Sequence, residues 1–351
     1  MELSTNKIIC GDALQVLQTL PDESVNMVMT SPPYWALRDY GHPLQLGIEP
    51  TFQEYINKLC GIFDEVKRVL RNDGTCWVNI GDSYVGSGDG LEKSLLQIPF
   101  RFSIEMANRG WILRNTIIWY KRNCMPSSVT DRFTVDFEYL FFFAKNKKYW
   151  FEQQFDKSVY PESYEGRRQR NAGTMAKFDR ENYAMTGSIQ ENGKLKSGQK
   201  YPNRNKRCVW DITTRGYKES HFATYPEELC VTPIKAGCPE FICDKCGKTK
   251  KKIYKTEKIK CPPIGGIKHP GNNTNIQYTG NTEHNEIVGF EYSDCGCNAG
   301  FHPGVVLDPF SGTGTTCLVA RKLGRKYIGI ELNPSYVNIS EKRIHNEAGL
   351  L

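Results

Sequence analysis

The segment that most narrows what this chain can fold into is Val305-Val-Leu-Asp-Pro-Phe-Ser-Gly-Thr-Gly-Thr-Thr316. An apolar run ends at an acid, passes through a glycine turn and enters a helix start, which is the ligand-facing corner of an open α/β sheet. Glycine has no Cβ, so backbone amides in such a turn can approach an anionic or zwitterionic ligand closely. The dinucleotide pattern G-x-G-x-x-G/A is not met, because Cys317 takes its third position, and the Gly-Lys-Ser/Thr of a phosphate loop is missing. Glu331 lies 23 residues beyond Asp308, at the end of the next apolar run, where a carboxylate can take both hydroxyls of a ribose. An acidic strand end beside the turn is awkward for a pyrophosphate and compatible with a cationic sulfonium.

The surrounding patterns suit such a sheet. Ser24-Val-Asn-Met-Val-Met-Thr30 is a short, mostly apolar run that predicts a strand buried on both faces. Apolar residues at 52, 55, 56, 59, 62, 63, 66, 69 and 70 predict a helix that stops near Asn72-Asp73-Gly74. Further strands are predicted at Thr75–Ile80, Ile112–Tyr120, Glu138–Ala144, Gly304–Leu307 and Lys326–Glu331, with a glycine-rich loop from Gly81 to Gly90. Helices are predicted from Ile98-Pro99 to Arg109-Gly110 and over Thr315–Leu323. Strands alternating with helices imply a mostly parallel sheet covered on both faces, and here its two halves are separated by inserts.

The first insert is basic. The whole chain carries 46 Lys+Arg against 39 Asp+Glu, and Asp156–Arg207 alone holds twelve basic and six acidic residues, nearly the entire excess of +7. Tyr160, Tyr164, Phe178, Tyr183 and Tyr201 are interleaved without long apolar periodicity. This is the composition of a nucleic-acid-contacting segment, and equally of a solvated loop. The second insert, Lys235–Gly300, is rich in Cys, Lys, Gly and Asn. Cys243-Asp-Lys-Cys246-Gly247 has zinc-knuckle spacing, and Cys295-Gly-Cys297 offers a second pair, so the four thiolates predict one closed structural zinc site. Cys238 and Cys261 are reserve ligands, a redox pair or plain buried thiols are the competing readings, and His302 and His269 are read as ordinary polar residues. Thirteen cysteines, an odd number, and the lack of a secretory leader predict a reducing, cytoplasmic setting. No apolar run approaches membrane-spanning length.

Thr30-Ser-Pro-Pro-Tyr-Trp35 follows the strand at 24–30, which puts it at the carboxyl edge of the sheet. Two successive prolines supply carbonyls but no N–H, so the turn presents acceptors. The Ser31 hydroxyl, the Pro32 carbonyl and the Tyr34 ring suit an extruded base, its face stacked and its exocyclic amine held by oxygens. An ordinary proline turn with an aromatic plug is the alternative for this motif alone.

Taken together, the two motifs resemble those of the amino-DNA methyltransferases, which methylate exocyclic amines of cytosine or adenine with S-adenosylmethionine. The resemblance covers about residues 6–155 and 207–345, and adds Gly11-Asp12, His221–Leu229 and Ile330–Tyr336 as further matches. The catalytic motif precedes the cofactor motif, as in the circularly permuted beta group. The resemblance implies a Rossmann-like sheet, with residues 1–155 as the catalytic half and 156–207 as a target-recognition insert. It further implies that the core resumes at 208–234 and that 301–351 is the cofactor half, with 235–300, the insert whose cysteine spacing predicts zinc, as a variable addition between them. Ser31, Pro32, Pro33 and Tyr34 would be catalytic. Asp308, Phe310, Ser311, Gly312 and Gly314 would shape the methionine end of the cofactor pocket. Thr313 and Thr316 would take the cofactor carboxylate, Glu331 the ribose, and Asp12 the adenine side. Serine in first place favours N4 of cytosine over N6 of adenine. Double-stranded DNA is the implied partner, and a cognate restriction endonuclease is one the family allows. None of the cysteines follows a proline, which argues against a thiolate-dependent methylation of ring carbon. Related Pro-Pro-Tyr loops also serve RNA and protein-glutamine methylation, and a catalytically silent, zinc-bearing DNA-binding regulator is the rival from another class.

Overall fold

The computed structural model describes residues 3–38, 41–84, 93–157, 203–214, 225–260 and 283–347. Most of the basic insert, the glycine-rich loop beyond Tyr84, Cys261 and His269 lie outside the described residues. The elements in chain order are β1 (Lys7–Cys10), α1 (Ala13–Thr19), β2 (Val25–Thr30), α2 (Phe52–Val69), β3 (Leu70–Ile80), α3 (Ile98–Asn108), β4 (Ile112–Tyr120) and β5 (Phe137–Ala144). They continue with β6 (Phe155–Lys157), β7 (Asn203–Asn205), β8 (Val209–Asp211), α4 (Glu227–Gly237), β9 (Ile242–Cys243), β10 (Lys252–Lys260) and β11 (Glu283–Tyr292). The chain then forms β12 (Phe301–His302), β13 (Val305–Asp308), α5 (Thr315–Lys322), β14 (Lys326–Glu331) and α6 (Pro334–Glu347).

The chain divides into two compact units. The larger comprises Met1–Gln154, Arg207–Lys250 and Asp294–Leu351, and is built on one eight-stranded sheet in the order β1-β14-β13-β2-β3-β5-β4-β8. β1, β14, β13, β2 and β3 run parallel, and β5 is antiparallel to both its neighbours β3 and β4. The C-terminal strands β13 and β14 are thus inserted between the N-terminal strands β1 and β2. Because β5 runs the other way, its first residues share the sheet edge where the parallel strands end.

Burial follows sequence pattern. β2 is buried at all six positions, as a strand covered on both faces requires. On one face α1, α2 and α3 pack Leu17, Tyr55, Leu59, Phe63, Val66 and Phe102 over the sheet. On the other, α4 and α5 bring Leu229, Ile234, Leu318 and Val319 against Met27, Met29 and Trp77. Each such fully buried aliphatic or aromatic side chain contributes about 1.5–3 kcal/mol. α2 begins at Thr51, whose hydroxyl accepts from the Glu54 amide at 3.2 Å. One expected boundary shifts. Asn72-Asp73-Gly74 does not separate helix from strand; β3 starts at Leu70 and jumps register against β2, Val25 pairing with Leu70 and Met27 with Thr75. The turn-forming residues are absorbed as an irregularity inside the strand.

The smaller unit, Phe155–Lys206 with Lys251–Ser293, contains the β6–β7 pair and the β10–β11 hairpin, whose register slips between Lys255 and Thr256. No described helix is long and apolar enough to cross a membrane.

Candidate active site

The carboxyl edge of the large sheet opens into a cleft of about 1290 Å³ lined by Ser31, Pro32, Pro33 and Tyr34 on one side and by Phe310, Ser311, Gly312 and Thr313 on the other. The two motifs sit at opposite ends of the sequence, and the pairing of β13 with β2 brings them together. Asp12 and Glu331 line the same cleft.

The tetrapeptide leaves β2 at Thr30 and is held from several sides. Tyr55 of α2 donates its hydroxyl to the Pro33 carbonyl at 2.8 Å, whereas the Pro32 carbonyl has no partner among the described residues. Trp35 Nε1 donates to the Glu49 carbonyl at 2.9 Å. The Tyr34 ring lies against Gly81, where an added Cβ would come within 2.7 Å of its Cε2. The Tyr34 hydroxyl donates to Glu138 Oε2 at 2.7 Å and faces Asn79 Oδ1 at 3.2 Å. Ser31 Oγ donates toward Asn79 Oδ1 at 3.3 Å and toward the Tyr34 oxygen at 3.4 Å. Lys121 pairs with the other Glu138 oxygen. Burial, reinforced by the Glu138 charge, pushes the Tyr34 phenol well above its usual value, so it remains a donor.

The cofactor-side turn is organised by two carboxylates. Gly312 and Gly314 adopt φ of 51° and 78°, the left-handed region that glycine tolerates without strain. At Gly312 a Cβ would point into open space; at Gly314 it would strike Ser340 at 2.8 Å, so the second glycine serves close packing of α6. Glu331 Oε2 accepts the Gly312 amide at 2.8 Å and its Oε1 accepts the Asn333 amide at 2.9 Å. Asp308 is fully buried and accepts the Thr30 hydroxyl (2.6 Å), the Phe310 amide (3.1 Å) and the Tyr225 hydroxyl (3.1 Å). Burial raises both the Asp308 and the Glu331 carboxyls. Asp308, Gly314 and Thr316 lie behind the cleft wall rather than on it. Thr316 Oγ1 bonds to the Tyr225 hydroxyl at 2.5 Å and donates to the Met29 carbonyl at 3.2 Å. Asp12 caps α1, accepting the Gln15 amide at 3.0 Å.

Asn79, Lys121, Glu138 and Tyr225 were not singled out from sequence. The available signal was polarity within apolar strands: Asn79 interrupts Cys-Trp-Val-Asn-Ile and Glu138 precedes Tyr-Leu-Phe-Phe-Phe. Tyr225 falls inside the segment His221–Leu229.

Away from the cleft, the Sγ atoms of Cys243, Cys246, Cys295 and Cys297 lie within 4.8 Å of one another, on the β9–β12 pair and its flanking turns. The Cys246 amide is the main influence lowering the Cys243 thiol, to about 7. Cys238 stands apart, buried, its thiol pushed up to about 12 by burial. His302 bonds through Nδ1 to Asp244 Oδ1 at 2.6 Å.

A family model described as DNA methylase, N6_N4_Mtase, matches residues 25–245 and 300–342. The Type II methyltransferase M.SmaI of Serratia marcescens is 32% identical over 97% of this chain and 91% of its own length. Among solved structures, the cytosine-N4-specific PvuII DNA methyltransferase aligns at a TM-score of 0.54 and 18% identity, covering 99% of this chain and 92% of that one. A candidate DNA modification methylase of Thermus thermophilus, solved with S-adenosyl-L-methionine, aligns at 0.52 and 20% identity, covering 99% and 96%. The two structures share the fold, a Rossmann-like methyltransferase sheet. With the motifs meeting in one cleft and relatives aligned along nearly the whole sequence, the chain belongs to the N6_N4_Mtase family of S-adenosylmethionine-dependent DNA amino-methyltransferases.

Proposed function

We propose that the enzyme methylates N4 of cytosine in double-stranded DNA, on a base flipped out of the helix into the cleft beside Tyr34. The observation that carries this reading is the shared cleft, in which a group of acceptors from Ser31 to Tyr34 faces the glycine turn at Gly312. Serine at the first tetrapeptide position favours cytosine. The insertion of β13 and β14 between β1 and β2 supports a circularly permuted arrangement of the family fold.

The residues present fit S-adenosylmethionine. The turn exposes open space at Gly312, and Asp308 and Glu331 place two costly carboxylates next to it, a donor set for a cation and not for a phosphate. When bound, the cofactor supplies an electrophilic methyl on a sulfonium. Phe310, Ser311, Gly312 and Thr313 would hold its methionine end, Glu331 its ribose, and Asp12 its adenine side, while Asp308, Gly314 and Thr316 brace the turn from behind. An exocyclic amine is a weak nucleophile because its lone pair is delocalised into the ring. Ser31 Oγ and the Pro32 carbonyl would accept its two hydrogens and favour a pyramidal nitrogen, while Tyr34 stacks the ring. Catalysis is then positioning and electrostatics, with no covalent enzyme intermediate.

The four-cysteine group is read as a structural zinc site: four thiols converge, as a closed tetrahedral centre needs. The basic segment 156–207 would supply phosphate contacts, so raising salt should weaken DNA binding steeply. A restriction endonuclease of the same recognition sequence is the protein partner consistent with this reading. Nucleoside analysis of DNA methylated by the purified enzyme tests the proposal. N4-methylcytosine is expected, and methyl label found only on adenine overturns the base assignment.

A further inference from the structure

The hydroxyls of Ser31 and Tyr34 can each donate or accept, so their chemistry toward a substrate amine depends on which way their protons point. Two groups decide it. Asn79 is fixed by its Nδ2, which donates to the Tyr139 carbonyl at 3.2 Å, so its Oδ1 faces the hydroxyl pair. The second is Glu138, an acceptor whose one oxygen is taken by Lys121 and whose other receives the Tyr34 hydroxyl at 2.7 Å. Both anchors at this end of the network are acceptors only. Tyr34 must donate inward to Glu138, which leaves its oxygen to receive the Ser31 proton at 3.4 Å, while Asn79 Oδ1 offers Ser31 a second inward acceptor at 3.3 Å.

We infer that Glu138, held by Lys121, is a positioning residue that sets the hydrogen-bond polarity of the Ser31–Tyr34 pair, so that Ser31 presents only lone pairs to the target base and the site selects an amine over a carbonyl. The inference rests on the proposed function and goes beyond it, because it assigns discrimination between amino and keto bases to a side chain outside the tetrapeptide that acts through the Tyr34 hydroxyl. The raised phenol of Tyr34 is in keeping with it.

E138Q separates the charge from the shape. Lys121, a donor only, claims the amide oxygen and turns the Nε2 donor toward Tyr34. The phenol then accepts, its own hydrogen turns toward Asn79 Oδ1 or Ser31 Oγ, and Ser31 becomes able to donate outward. The experiment compares binding of duplexes carrying cytosine or uracil at the methylated position; if adenine is the methylated base, the pair is adenine and hypoxanthine. Wild-type enzyme should prefer the amine, and E138Q should narrow that preference by about fivefold or more, with S-adenosylmethionine affinity unchanged. E138A removes the inward acceptor outright, leaves the Tyr34 hydroxyl to donate toward Asn79 or Ser31, carries the same expectation and covers the case in which E138Q does not fold. An unchanged amine-to-carbonyl ratio in the folded variants overturns the inference. If wild-type enzyme methylates no exocyclic amine, the proposed function itself fails; if it does and the ratio stays unchanged in the variants, only the role of Glu138 falls.

Discussion

Replacing Asp308 by alanine and by asparagine should separate its part in folding from its part in binding. In the structure one oxygen accepts Thr30 Oγ1 (2.6 Å) and the Phe310 amide (3.1 Å), and the other accepts the Tyr225 hydroxyl (3.1 Å). Asp308→Ala removes all three acceptors. Tyr225 can still donate to Thr316 at 2.5 Å, but the buried Thr30 hydroxyl and the part-buried Phe310 amide are stranded without their acceptor. At about 1–3 kcal/mol for each stranded donor, partly offset by no longer burying a charge, a loss of about 2–4 kcal/mol is expected. Asp308→Asn keeps the doubly used oxygen. Its new Nδ2 faces the Tyr225 oxygen, the phenol donates onward to Thr316, and Thr316 already donates to the Met29 carbonyl at 3.2 Å. Stability should therefore stay within about 1 kcal/mol of wild type. The asparagine nevertheless removes a negative charge behind a site for a cation, so S-adenosylmethionine affinity should fall roughly tenfold, about 1.4 kcal/mol. Urea denaturation gives the first quantity and calorimetric titration the second. An asparagine variant as unstable as the alanine one, or one with undiminished cofactor affinity, would refute the reasoning.

The same carboxyl makes stability depend on pH. Burial raises Asp308 above the ordinary carboxylate range, so the folded state holds its proton more tightly than the unfolded one, and its contribution is lost as pH rises through the raised value. The stability of wild type relative to Asp308→Asn should therefore fall on going from acid to neutral pH; a gap that widens in wild type's favour would contradict this. Gly81→Ala puts a Cβ 2.7 Å from Cε2 of Tyr34, a ring already tethered at its hydroxyl, and should lower kcat by about tenfold or more while cofactor binding is unchanged. Metal analysis of protein prepared without chelator should find one zinc per chain. Cys295→Ser should lose that zinc and open the 235–300 segment to proteolysis, and metal-free wild-type protein would remove the site.

Much of the sheet was legible because its signals are local. The apolar run ending at Thr30, the helical spacing from Phe52 to Leu70 and the strand–turn–helix at Val305–Thr316 each state their conformation within a few residues. The β10–β11 hairpin was missed because Lys252–Lys260 mixes charge with apolar residues and lacks the clean alternation of a half-buried strand. α4 was missed as well: it carries Pro233 inside it, and its helicity depends on packing against the sheet.

From the sequence alone came the residue types at the cleft, which are a serine, two prolines, a tyrosine and a glycine turn between two acids, and, apart from them, four spaced thiols. Only the tertiary structure decided which of them meet and what stands behind them. Thr30 bonds to Asp308 across 278 positions, Tyr34 to Glu138 across 104, and Ser31 to Asn79 across 48. The reason is physical. Helix and strand periodicities express forces between near neighbours, whereas the partner of a buried polar group is set by strand order and by the direction of β5, which brings Glu138 to the edge where β2 and β3 end.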